Sequence, residues 1–228
     1  SKQDIDEVIA TFAQAARDAK AIGMDGVEIH GAHGYLVDQF FWEGSNQRTD
    51  GYGGSLANRS RFAIELIKAV RAAVGPDFPI ILRFSQWKQQ DYSARLVQTP
   101  EALGAFLKPL ADAGVDIFHC STRRFWEPEF EGSDLNLAGW TRLLTGKPTI
   151  TVGSVGLDGE FLQFMVDTDK VAQPASLEKL LQRLDDQEFD LVAVGRALLV
   201  DAQWAAKVRE GREQDILPFS REALTSLA

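Results

Sequence analysis

The stretch Val27-Glu28-Ile29-His30-Gly31-Ala32-His33-Gly34-Tyr35-Leu36 decides how the rest of the chain is read. A short apolar strand here runs out into a loop that carries two histidines and a tyrosine. In the β period Val27 and Ile29 face one side while Glu28 and His30 face the other, so helices packed on the first side would leave His30 facing an interior. Gly31 and Gly34 let the backbone bend and bring His33 and Tyr35 beside it. Histidine and tyrosine both donate hydrogen bonds, and an unperturbed tyrosine keeps its proton at neutral pH. Three converging donors suit a substrate oxygen that gains negative charge and a carbon that needs a proton. Two other readings stand beside this one: a pair of structural, hydrogen-bonded histidines, or a metal site with Glu28 as third ligand. A loop lacks the helical register that fixes such ligands, and no metal is expected.

Working outward, residues 4 to 22 place Ile5, Val8, Ile9, Phe12, Ala15, Ala16, Ala19 and Ile22 at helical spacing, with Gly23 as a stop. After the His-rich loop comes a polar, glycine-rich segment from Asn46 to Ser55, read as an irregular scaffold, and then a helix from Ala57 to Val74. Pro79 to Ser85 reads as the next strand, with Ile80, Leu82 and Phe84 on one face and Ile81, Arg83 and Ser85 on the other. Arg83 inside an apolar strand demands a polar or anionic partner. A helix over Pro100 to Ala113 precedes the strand Val115 to Ser121, whose His119 is read as structural. A loop over Thr122 to Leu135 holds Phe125, Trp126 and Phe130. A short helix from Leu137 to Leu144 and a strand from Pro148 to Val152 follow, the strand ending in Gly153-Ser154. Helices are expected over Gly159 to Val166 and Ala175 to Asp186. The last strand, Asp190 to Val194, ends in Gly195-Arg196, and a helix over Ala202 to Val208 leaves a surface-bound tail.

With 45% hydrophobic residues over 228, the chain can form one domain with one large core. Its 24 basic and 33 acidic residues give a net charge of -9, which excludes a basic nucleic-acid footprint and favours a small-molecule partner. Membrane-length apolar runs and a signal peptide are absent, and the single cysteine, Cys120, cannot form an internal disulfide; a cytoplasmic protein is expected.

Strand and helix alternate five times without a hairpin signal, which gives an α/β class with parallel strands and helical crossovers. The polar and glycine residues fall just past the strands' C-terminal ends, where parallel sheets bind ligands. A doubly wound sheet would need GxGxxG after a strand, and none is present. Glycines closing the last two strands instead fit the phosphate site of a (β/α)8 TIM barrel. If the strand before Gly195 is the eighth, the strand at Val27 is the fourth. The expected fold is therefore a partial (β/α)8 barrel of about five βα units, strands 4 to 8, over residues 1–228, with the first three units absent.

With that arrangement, DGVEIHGAHGYLVDQF from Asp25, NQRTDGYGGSLANRSRF from Asn46, LRFS from Leu82, TVGSVG from Thr151 and VGRALLVD from Val194 together resemble the old yellow enzyme family of NAD(P)H-dependent flavin oxidoreductases. The resemblance implies an FMN cofactor, reduced by NADH or NADPH and reoxidised by an α,β-unsaturated carbonyl or related nitro compound. It implies that His30 and His33 hold the substrate carbonyl oxygen, where losing one donor would cost on the order of 10²-fold in rate. Tyr35 matches the proton donor and Arg83 the arginine beside the flavin pyrimidine ring. Gly153, Ser154, Gly195 and Arg196 match the phosphate-binding ends, and Trp126 is a candidate lining of the substrate pocket.

Five units cannot close an eight-stranded barrel. An N-terminal companion segment or a second copy would have to complete it, and the alternative reading is a non-catalytic fragment or interaction module. A phosphate-sugar isomerase or aldolase on a similar barrel would want a strand-end lysine or paired carboxylates, and neither is evident.

Overall fold

A computed structural model of the chain describes residues 1–159 and 171–225. Helix α1 (Lys2–Ala21) starts at a capping box between Ser1 and Asp4 and buries Ile5, Ala13 and Ala16. It packs on α3 (Leu56–Val74), while Ile22, expected on the apolar side, is an exposed C-cap. Strand β1 (Val27–His33) leads into a short helix, α2 (Leu36–Phe41), which the sequence reading did not contain.

Between α2 and α3 the polar loop is tied down as expected. The Asn46 side-chain amide donates to the carbonyls of Phe40 (2.7 Å) and Tyr52 (2.8 Å), and Arg59 Nε donates to Phe41 O (2.7 Å). A Cβ on Gly53 would lie 1.9 Å from Arg48 O, so only glycine fits there.

Strand β2 (Ile80–Lys88) follows, then α4 (Pro100–Ala113), β3 (Ile117–Ser121), α5 (Leu137–Thr145), β4 (Thr149–Val152), α6 (Glu178–Asp185), β5 (Leu191–Val192), α7 (Arg196–Val200) and α8 (Trp204–Arg209). The expected helix over Gly159 to Val166 falls almost wholly outside the described residues. All strand pairs are parallel, and the five strands run in sequential order, β1-β2-β3-β4-β5. A doubly wound sheet reverses its order at a switch point. Sequential order is the winding of a barrel wall.

The apolar face of this wall is covered by helices. Ile80, Leu82 and Phe84 are buried beneath them with Leu66, Ile67, Phe106 and Leu107, and Phe84 meets Phe106 and Phe118 at ring distances of 6.0 and 6.1 Å. Each such side chain contributes roughly 1.5–3 kcal/mol. The opposite face carries Glu28, His30, Ile81, Arg83 and His119, as the period of two requires.

Two expectations fail at the C-terminal end. Strand β5 is two residues long instead of five, because the chain turns through Gly195 into the unforeseen α7. The tail does not merely lie on the surface: Phe219 is fully buried, Ile216 nearly so, and Phe219 pairs with Ala172 in an antiparallel bridge. Among the described residues, no helix is long and apolar enough to cross a membrane.

Candidate active site

The site begins with a mismatch of register. Gly31 pairs with Phe84 and His33 with Lys88, so β2 uses four residue steps where β1 uses two. Ser85 to Trp87 thus stand opposite Ala32 alone, an excess of two residues that bulges toward the end of β1. Ser85 Oγ accepts the His33 N–H (3.0 Å) and donates to Trp87 O (2.7 Å), and the Trp87 indole stacks on the His33 ring at 4.6 Å. His33 sits at φ 64°, uncommon for a non-glycine residue, and this clamp holds it there. Its Nε2 lies 2.7 Å from Ser121 Oγ at the end of β3.

Beneath this turn lies an ion pair that the sequence reading missed. Lys88 Nζ donates to Asp38 Oδ1 (2.7 Å) and to Ser85 O (3.1 Å), while Asp38 Oδ2 accepts the Gly34 N–H (2.8 Å); both side chains are fully buried. Burial pushes the Asp38 carboxyl up and the Lys88 amine down, each opposed by its partner's charge. The pair joins α2 to β2 and fixes the backbone between His33 and Tyr35.

The rings of His30 and His33 are 5.2 Å apart, and those of His30 and Tyr35 also 5.2 Å. Tyr35 is the N-cap of α2 and about half exposed. Burial, then the charges of Arg83, His30, Lys88 and His119, lower the His33 pKa to about 3. Burial and then Arg83 lower that of His30 as well. Two neutral imidazoles can donate hydrogen bonds to an acceptor without giving up a full proton charge. A His33 that accepts the Ser121 hydroxyl at Nε2 carries its proton on Nδ1.

The depression of His33 has a consequence for stability. Between an ordinary histidine pKa of ~6.5 and the folded value near 3 the unfolded chain binds the extra proton. The contribution of His33 to stability is therefore complete above that window and lost as the pH falls through it. We expect His33→Gln to flatten the fall in urea midpoint between those two pH values. An NMR titration with His33 protonating near the ordinary value would refute this.

A concavity of about 280 Å³ opens beside His33 at the C-terminal ends of the strands. Arg83 from within β2, Gly153 and Ser154 after β4, and Gly195 and Arg196 after β5 all line it, so these sequence-predicted residues are brought together. Gly153 has φ 135°, and a Cβ on it would lie 2.7 Å from Thr122 O. Around Gly195 a Cβ would meet nothing within 4 Å, which leaves its backbone open to close approach. Ser154 Oγ donates to Arg123 O (3.0 Å), and Arg196 Nη2 donates to Gly159 O (2.7 Å), its guanidinium resting 5.5 Å from the Phe219 ring centre. His30 and Tyr35 do not line this concavity; they join it only through the ring contacts of His30 with His33 and of Tyr35 with His30.

Trp126 is not brought into the concavity. Phe125 N–H donates to Gly153 O (3.1 Å) and turns the Phe125 ring inward, so its neighbour packs edge-on against it at 5.1 Å and lines a separate groove with Asp134 and Arg183. Trp87 and Tyr92 line the concavity instead, stacked on each other at 5.3 Å. No periodicity in the sequence marks them, since the bulge that presents Trp87 depends on pairing across strands.

Among the described residues, no three His, Cys, Asp or Glu side chains gather as a metal site. Arg83 supplies the test of an anionic or acceptor-rich ligand. Its Nε is buried with no hydrogen-bond partner, and burial lowers its pKa against the raising effect of Glu28. A desolvated guanidinium lining a cavity calls for acceptors from outside the chain. The pyrimidine edge of a flavin offers such acceptors, and the open backbone at Gly195 leaves room for its phosphate arm, so the residues fit FMN.

This geometry places a candidate site for an acceptor-rich ligand at the C-terminal ends of a parallel α/β sheet. Residues 1–215 match the model of the NADH:flavin oxidoreductase / NADH oxidase family, whose members are FMN-dependent oxidoreductases, and the chain belongs to that family. An NADH oxidase of Thermoanaerobacter brockii is 36% identical over 221 residues, 93% of this chain and 30% of that protein. 12-Oxophytodienoate reductase 2 of Arabidopsis thaliana is 48% identical over 107 residues, 47% of this chain and 28% of that protein. Morphinone reductase, solved in complex with tetrahydroNAD, superposes with a TM-score of 0.71 at 27% identity, covering 93% of this chain and 50% of that one. The old yellow enzyme homologue of Zymomonas mobilis shares the fold, with a TM-score of 0.75 at 20% identity over 100% of this chain and 57% of that one. The chain thus spans under a third of these two sequence relatives and about half of the solved structures.

Proposed function

We propose that this chain carries the substrate-activating and phosphate-side parts of an FMN-dependent NAD(P)H oxidoreductase that reduces the C=C bond of an α,β-unsaturated carbonyl or related nitro compound. The observation that supports it most is the unpartnered Arg83 guanidinium in the same concavity as His33, Gly153, Gly195 and Arg196. FMN, when bound, would accept hydride from NADH or NADPH and pass it to the substrate β-carbon. Arg83 would face the pyrimidine edge, and Gly153, Ser154, Gly195 and Arg196 would take the phosphate end. His30 and His33, as neutral donors, stabilise the charge that builds on the carbonyl oxygen. Tyr35 delivers a proton to the α-carbon. A cytoplasmic setting fits the single cysteine, Cys120, which is buried and cannot form an internal disulfide.

A second reading is favoured by the edge of the sheet. Strand β1 pairs only with β2 among the described residues, and Glu28 and His30 on its interior face are partly exposed. An N-terminal companion segment of three further βα units, or a second copy, would cover that edge and complete a (β/α)8 barrel. On this reading the chain alone is a non-catalytic part.

Visible spectroscopy separates the two. Titration of the chain with FMN should yield a bound yellow flavin that NAD(P)H bleaches and an enone restores. A colourless protein at saturating FMN would assign the chemistry to the completed barrel.

A further inference from the structure

Register places His30, Arg83 and His119 in one row across β1, β2 and β3, since His30 pairs with Arg83 and Arg83 with His119. Glu28 lies one pleat before His30 on the same face. Its Oε2 is 2.8 Å from His119 Nδ1, so the side chains of β1 and β3 join across the strand that carries Arg83. Burial raises the Glu28 carboxyl, but the hydrogen bond from His119 and the charges of His119, Arg83 and His30 bring it below its ordinary value. The His119 side chain is nine-tenths buried, and its Nε2 has no hydrogen-bond partner. Although Glu28 is near enough to act on Arg83, no ion pair or hydrogen bond reaches the Arg83 side chain among the described residues.

An arginine beside a carboxylate ordinarily takes it in a bidentate pair. Here the carboxylate is already engaged by the imidazole. We propose that His119 is a positioning residue for Arg83: by holding Glu28 it prevents a direct Glu28–Arg83 pair and keeps the guanidinium available to an acceptor-rich heteroaromatic edge in the concavity. The identity of that edge as a flavin rests on the function proposed above; the competition for Glu28 does not. His119 thereby acts on the ligand through two other side chains without touching it.

Four variants test this, read by the Arg83 Nε–H signal in ¹H–¹⁵N NMR of the flavin-free chain and by FMN affinity. In His119→Leu, Glu28 turns to Arg83, the Nε–H becomes protected, and FMN binding weakens about tenfold or more, the worth of a hydrogen bond to a charged group. Adding Glu28→Gln to His119→Leu restores both, which a merely structural role for His119 would not allow. His119→Gln keeps a donor for Glu28 and behaves as the native chain.

Glu28→Gln alone leaves the Arg83 Nε–H unprotected and binds FMN at least as tightly as the native chain, and this arm stands if His119→Leu does not fold. Weakened FMN binding or a protected Nε–H in Glu28→Gln overturns the proposal, as does an unchanged Arg83 signal in folded His119→Leu. Should the native chain take up no FMN, the cofactor belongs to the completed barrel, and the NMR signals still decide the role of His119.

Discussion

Replacing Lys88 with methionine is expected to lower the unfolding free energy by about 3–5 kcal/mol, because it strands Asp38 as a buried carboxylate without its cation. The measurement is the urea midpoint at unchanged m value. The loss should exceed that of any exposed pair in the chain, such as Arg142 with Asp190, for which roughly 0–1 kcal/mol is expected. The double variant Lys88→Met/Asp38→Leu should recover most of the loss, since apolar replacement of a whole buried pair is often neutral or stabilising. Recovery should be incomplete, because the Gly34 N–H then lacks its acceptor. A Lys88→Met chain as stable as the native one would show that the pair does not hold the His33 turn.

Replacing Tyr35 with phenylalanine should slow enone turnover by about 10²-fold or more, the usual contribution of a positioned general acid. Flavin reduction by NAD(P)H should be retained, because that half of the cycle moves hydride to the cofactor without a proton from this phenol. The division follows from the proposed roles: burial and nearby positive charge favour the neutral forms of His30 and His33, and Tyr35 is about half exposed. Stopped-flow measurement of the two half-reactions, in a chain that binds FMN or in the completed barrel, separates them. Equal slowing of both would place Tyr35 in binding, and unchanged enone turnover would remove it from the chemistry.

Much of the wall was legible because its signals are local. Helix α4 runs from Pro100 to Ala113 as read, with Thr99 capping one end and Gly114 the other. Alternation in β2 assigned Leu82 to the covered face and Arg83 to the interior one, and that assignment, with the glycines that end β4 and β5, foretold one shared concavity. What escaped depended on other strands. Lys88 reads as a surface residue until Asp38 is known to lie beneath it, and α2 is six residues long with no side-chain cap. Trp126 lines a separate groove while Trp87 and Tyr92 line the concavity, and a run of Phe125 and Trp126 does not say which ring turns inward. The contact of His119 with Glu28 spans β1 and β3 and could not be read from either strand alone.

The uneven pairing of β1 with β2 also limits how this protein can be re-engineered. Removing or adding one residue between Ser85 and Trp87 would turn the Lys88 side chain to the other face of β2, away from Asp38. Loop transplants from relatives therefore need to conserve the length of this segment before its composition.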